Sequence, residues 1–247
     1  MKKLLMTAAV AAVALGLGTT ASLAEAYKAC WIYVGPVGDG GWSFQHDQGR
    51  KAVVAEFGDK VETVFVENVL EADSDRTLER LARDGCKIIF ATSFGFMEPV
   101  LKVAAKFPDV KFEHATGYKT APNVTTYNSK FHEGRYVQGV IAAKMSKAGV
   151  AGYIASFPIP EVVLGINAFM LGAQSVNPKV KTKVVWVNKW FDPPKESEAA
   201  TSLINQGADV LMQNTDSAAV LQLSLIQISE PTRLLSISYA VFCLKKK

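Results

Sequence analysis

Between residues 28 and 222, short runs of β-branched residues alternate with stretches of helical spacing, and that rhythm limits the possible architectures more than any other feature. The predicted strands are Ala29–Val34, Val61–Val66, Lys87–Ala91, Val110–His114, Val124–Tyr127, Val150–Ile154, Val184–Val187 and Val210–Gln213. Helices are expected between them. Asp73–Asp84 carries Leu78, Leu81 and Ala82 on one face with Gly85 as a stop, and Phe131–Lys147 carries Val137, Val140, Ile141 and Met145 on one stripe. Strand–helix alternation over this length means parallel sheets flanked by helices, an α/β fold. The rhythm breaks once, where the fourth and fifth strands are joined only by a loop, Ala115 to Asn123. The expected division is a first lobe over 27–128 and a partial second lobe over 129–222, with a cleft at the carboxyl ends of the strands.

Both ends of the chain stand apart from this pattern. Lys2 and Lys3, the apolar run Leu4 to Gly18 and the small residues of Ser22-Leu23-Ala24 give the three-part layout of a secretory leader over 1–24. A membrane anchor would need about 20 apolar residues, more than this run supplies. Cys30 does not directly follow a cleavage site, so an exported protein without a lipid anchor is expected. From Leu223 the chain reads LSLIQISEPTRLLSISYAVFCLKKK, which resembles two translated sequencing-adapter pieces in order; 223–247 is read as a non-native tail and Gln222 as the end of native sequence.

The ends also distort the charge balance. The whole chain has a formal net charge of +4, but 25–222 holds 21 basic and 22 acidic residues. No basic surface for nucleic acid is expected. Outside the tail the cysteines are Cys30 and Cys86; export permits a disulfide, but two buried thiols are the expectation. No metal site or cofactor is expected.

Candidate ligand groups gather at strand ends. After the first strand come Gly35 to His46, with Trp42 and Phe44 flanking Ser43 and followed by Gln45. Their spacing matches neither GxGxxG nor GxxxxGK[ST], whereas planar rings beside an amide suit a flat heterocycle. Ser93, Phe94 and Gly95 follow the third strand, Trp190 a strand of the second lobe, and Asp216 the next. For single residues a structural role is equally open: Asp216 or Ser217 could cap the following helix. No GxSxG or HExxH setting is present, and Glu113-His114 is read as a buried, satisfied histidine and not as an acid–base pair. No nucleophile, base and oxyanion site can be assembled, so the chain is not read as an enzyme.

The segments GDGGWSFQHDQGR, ATSFGFMEPV, KFEHATGYKT, YNSKFHEGRYVQGVIAAKM, VWVNKWFDPPKE and QNTDSAA, in this order, resemble the basic membrane protein family of ABC-transporter substrate-binding proteins. The nearest branch is the soluble one carrying GYK and EGRYVQG, whose ligand is adenine or a similar purine. The resemblance implies a two-lobed type I periplasmic-binding fold with its second lobe incomplete here. It also implies a monomer that captures a small molecule by hinge closure and delivers it to an inner-membrane ABC permease. In nucleoside-binding members a ring at the position of Phe44 stacks on the base, beside an Asn where Gln45 stands, and a second ring at Trp190 covers the other face. Gly35 stands where those members carry a ribose-binding Asp, which implies a free base. A sensor feeding a receptor, or a periplasmic nucleoside hydrolase, are the alternative functions.

Overall fold

Alternation along the first strand explains how one sheet buries both of its faces. The computed structural model describes residues 26–38, 40–227 and 243–244. In β1 (Tyr27–Ile32), Cys30 and Ile32 face one way, against α2 (Ser74–Arg83) and α3 (Met97–Ala104). Ala29 and Trp31, with Tyr33 just beyond, face the other way, toward Val53 of α1 (Trp42–Phe57). Successive side chains of a strand point to opposite faces, so a strand covered on both sides must be apolar throughout. β2 (Val61–Val66), β3 (Ile88–Ala91), β4 (Lys111–Ala115) and β5 (Val124–Tyr127) complete a parallel sheet in the order β2-β1-β3-β4-β5. Trp31 and Phe90, opposite each other in register, stack with ring centroids 4.6 Å apart.

The chain then enters α4 (Phe131–Met145) and builds a second parallel sheet from β6 (Val150–Ala155), β7 (Lys181–Trp186) and β8 (Val210–Gln213). α5 (Pro160–Val176) follows β6 and α6 (Pro193–Asn205) follows β7. Tyr153, Val210 and Met212 pack with Phe169 on one face, while Ile154 and Leu211 pack with Ala200 and Leu203 on the other. α7 (Ala219–Gln227) follows β8, and β9 (Cys243–Leu244) pairs antiparallel with β8. The expected leader, and the rest of the expected non-native tail, lie outside the described residues. Each sheet with its helices is one lobe.

Three expectations are corrected. Cys30 and Cys86 form a disulfide instead of two thiols, because the turn closing α2 returns Cys86 beneath β1 with 6.0 Å between the Cα atoms, a span a disulfide bridges. The apolar stripe expected on α4 is not its buried face: Gln138, Gly139, Ala142 and Ala143 are buried, while Val137 is 50% and Met145 40% exposed. α4 crosses α5 at backbone contact. A Cβ on Gly139 would overlap the Phe169 carbonyl oxygen, and one on Gly172 the Tyr136 carbonyl oxygen, so only small side chains fit and the large ones turn outward. The strand expected at Val184–Val187 begins at Lys181. β7 lies at the edge of its sheet, where Lys181, Thr182 and Lys183 can reach water.

Among the described residues no helix is long and apolar enough to cross a membrane.

Candidate functional site

A cavity of about 290 Å³ lies between the carboxyl ends of the two sheets. From the first lobe it is walled by Val34, Gly40, Gly41 and Trp42, by Ser93 and Phe94, and by Thr116. The second lobe contributes Phe131 and Arg135 of α4, Tyr153 of β6, Glu161 of α5, Trp190, and the loop 213–218. Parallel strands all end on the same side of their sheet, so their following loops converge there. Of the residues singled out in the sequence, Trp42, Ser93, Phe94, Trp190 and Asp216 line this cavity; Phe44, Gln45 and Gly95 do not.

The reason differs between the helix residues and the glycine. α1 begins at Trp42, and at about 100° per residue Phe44 points away from the face Trp42 presents, while Gln45, one turn on and near that face, lies too far along the helix to line the cavity. The ring near Trp42 is instead Phe131, 5.9 Å away between centroids and tilted by 51°. Gly95 makes room for a neighbour, since a Cβ there would overlap the Glu71 carboxylate. Trp42 itself is fixed by its indole N–H donating to the Thr92 carbonyl at 2.5 Å, and by an edge contact with His46, centroids 4.7 Å apart. Phe157 lies beside Trp190 at 5.2 Å.

Two carboxylates tie the lobes together across the cleft. Glu71 of the first lobe accepts from the Trp190 indole N–H at 3.0 Å and from Ser93 Oγ at 3.3 Å. Asp216 of the second lobe accepts from the backbone N–H of Trp42 through Oδ1, and from Ser43 Oγ at 3.5 Å through Oδ2. α1 has no capping side chain of its own, Gly41 being its N-cap residue, so Asp216 caps it from the opposite lobe. Ser217 Oγ accepts from the Ala219 N–H at 3.2 Å, so it caps α7. A Cβ on Gly41 would overlap Asp216, and one on Gly35 would lie 3.2 Å from Asp216 Oδ2.

The loop carrying Asp216 is held by Glu196, which is fully buried. Its carboxylate accepts from Thr215 Oγ1 at 2.8 Å, Ser217 Oγ at 2.6 Å and the Asp192 N–H at 3.0 Å. Such charge-assisted bonds offset the cost of burying the group. Asn214 and Ser156 bond each other in two ways, joining the ends of β8 and β6.

Glu113 and His114 cannot act as a pair, since neighbouring residues of β4 face opposite sides of the sheet. His114 is fully buried with Nε2 2.7 Å from the Ser93 carbonyl. A carbonyl only accepts, so Nε2 carries the proton; Nδ1 has no partner among the described residues. Burial holds the His114 pKa below its ordinary value, partly opposed by the bond to Ser93. At the cavity wall, burial raises the pKa values of Glu161 and Tyr153, and the nearby Arg135 charge opposes both shifts.

Arg135, Glu161, Phe131, Tyr153 and Glu71 were not singled out as site residues. Glu161 was within reach of the same reasoning, because it follows the end of β6 behind Pro160 as Trp190 follows β7. Glu71 was not: no spacing links it to Trp190, 119 residues away.

Residues 26–224 match the family described as ABC transporter substrate-binding protein, PnrA-like. A purine-binding protein of Brucella abortus is 64% identical over 209 residues, spanning 84% of this chain and 60% of that protein. TsgA13 of Haloferax volcanii, described as a putative ABC transporter glucose-binding protein, is 46% identical over 198 residues, 80% of this chain and 50% of its own. The chain thus spans between half and about three-fifths of the length of these relatives. A solute-binding protein of an ABC transporter system from Aeropyrum pernix superposes with a TM-score of 0.70 at 23% identity, over 81% of this chain and 60% of that one. The two lobes adopt the periplasmic-binding-protein fold, and the chain belongs to the PnrA-like family of ABC transporter substrate-binding proteins.

Proposed function

We propose that the protein captures a purine base, adenine in preference to adenosine, between its lobes by hinge closure and hands it to an inner-membrane ABC permease for import. The observation that carries this reading is the cavity itself, set between two lobes and lined by Trp42, Phe94, Phe131 and Trp190. Flat rings at a partly enclosed, largely apolar site suit a heterocycle with stackable faces. The purine-binding Brucella relative supports the same ligand class. Gly35 supports a free base: a Cβ there already approaches Asp216 Oδ2 and Ser43 Oγ, which leaves little space for a ribose-binding side chain.

Closure follows from contacts made in both lobes. Asp216 to Trp42 and Trp190 to Glu71 form only when the lobes meet, and a ligand touching both walls adds to that preference. We further infer residence in the periplasm after export, action as a monomer, and binding without turnover. Calorimetric titration with adenine, adenosine and glucose tests the ligand. Adenine is expected to bind most tightly. Tighter adenosine removes the free-base reading, and heat from glucose alone replaces purine by sugar, as the name of the Haloferax relative suggests. Release of free base from nucleosides by the purified protein would restore the hydrolase alternative.

A further inference from the structure

The carboxyl groups that join the lobes or shape the cleft loops are already engaged by protein donors. Glu71 serves Trp190 and Ser93, Asp216 serves Trp42 and Ser43, and Glu196 serves Thr215, Ser217 and Asp192. Glu161 differs. It stands on the cavity wall in the first turn of α5, and among the described residues no donor hydrogen-bonds to it. Gly165, one turn further along the same helix face, lacks a side chain where Arg135 and Tyr153 approach; a Cβ there would be 3.6 Å from Arg135 Cγ and from the Tyr153 hydroxyl. Both neighbours can therefore lie along α5 beside Glu161 without covering it.

A partly buried carboxyl without a protein donor gains most from a ligand that supplies one. We propose that Glu161 is a specificity-determining residue that pairs with the amino-bearing edge of the bound base while the aromatic rings cover its faces. This deepens the purine reading and rests on it. The chemistry is complementary. A protonated carboxyl offers an O–H donor beside a C=O acceptor, and an amino group next to a ring nitrogen offers the reverse. Burial favours that neutral form against the pull of Arg135. The other titratable or charged groups on the wall are Arg135 from α4, Tyr153 from β6 and Asp216 from the loop after β8; the described first-lobe wall brings none.

The test compares adenine with benzimidazole, which keeps two fused rings but has neither the amino group nor the ring nitrogen beside it. Both are titrated calorimetrically into the full chain and into Glu161→Ala and Glu161→Gln. Glu161→Ala is expected to weaken adenine at least ~10-fold, the loss of one good hydrogen bond, and to leave benzimidazole within about twofold. Glu161→Gln, which keeps a donor beside an acceptor, should retain most of the adenine affinity. Should Glu161→Ala fail to fold, the wild-type preference for adenine over benzimidazole decides. It should fall as pH rises and Glu161 ionises, and stay level in Glu161→Gln. Equal losses for both ligands, an unchanged adenine affinity in Glu161→Ala, or a pH-independent wild-type preference overturns the role of Glu161 alone. No adenine binding by the wild type overturns the purine reading and this proposal together.

Discussion

The two walls of the cavity are built from different chemistry. The first-lobe wall, from Val34 to Thr116, carries Trp42 and Phe94 and no charged residue among those described; the second-lobe wall carries Arg135, Glu161 and Asp216. Their supports differ too. In the first lobe a disulfide joins β1 to the turn between α2 and β3, while the second wall hangs on the hydrogen-bonded carboxylate of Glu196. The difference suggests a division of labour in which one lobe offers a flat face and the other supplies most of the groups that read an edge. Under the proposed closure, the two walls together complete a site that neither lobe holds alone.

The largest expected effect breaks the crosslink of the first lobe and spares the second. Replacing Cys30 and Cys86 together by Ala should lower stability by about 2–4 kcal/mol, because the crosslink closes a long loop in the unfolded chain. Denaturant unfolding measures this. If ligand affinity under native conditions falls by a comparable amount, the disulfide also shapes the cavity and the separation of roles is wrong.

Next come the rings. Trp42→Ala and Trp190→Ala should each weaken purine binding by at least ~1 kcal/mol, the low end for stacking on a base. Trp190→Phe separates the two roles of Trp190, since it keeps a ring and removes the donor to Glu71. An unchanged affinity for either alanine variant removes that residue from the site.

The link between the walls should cost less. Asp216→Ala removes the cap that α1 receives from the other lobe, worth about 1 kcal/mol, and small-angle scattering should find a more open average shape at equal ligand saturation. Compactness identical to wild type would show that Asp216 is no latch.

The smallest effect at neutral pH is that of a buried imidazole, and it grows only in acid. His46, edge-on to Trp42, has its pKa drawn down to about 4 by burial. A depressed pKa means the unfolded chain takes up the proton first, so this contribution is intact above about pH 6.5 and shrinks as pH falls toward 4. His46→Gln should flatten the fall in melting temperature over that window. A slope equal to wild type would assign the acid sensitivity elsewhere, with buried His114 next in line.

Much of the fold was legible because burial imposes a period on the sequence. The strand predicted at Val61–Val66 has the bounds observed, and α2 buries Leu78, Leu81 and Ala82 as expected. α4 was misread because periodicity reports where apolar residues recur, not how closely a neighbour approaches. Gly139 and Gly172 bring two backbones together, and contact distance outweighs the stripe. At the site, strand ends identified Trp42, Ser93, Phe94, Trp190 and Asp216 as cavity residues, since parallel strands deliver their loops to one rim. Phe44 and Gln45 stand off the cavity wall, because α1 begins at Trp42 and carries the chain away from the rim.

By itself, the sequence determined the alternation of strands and helices, the two parallel sheets and the rim where a ligand would sit, because these follow from local spacing and strand direction. Only the tertiary structure decided the partners: Cys86 for Cys30, Glu71 for Trp190, Asp216 for the start of α1, and Glu161 left open to the cavity. The bonded partners are 56 to 174 residues apart. Hydrogen bonds and crosslinks act over a few ångströms, so only the packing of whole lobes brings such distant residues within reach.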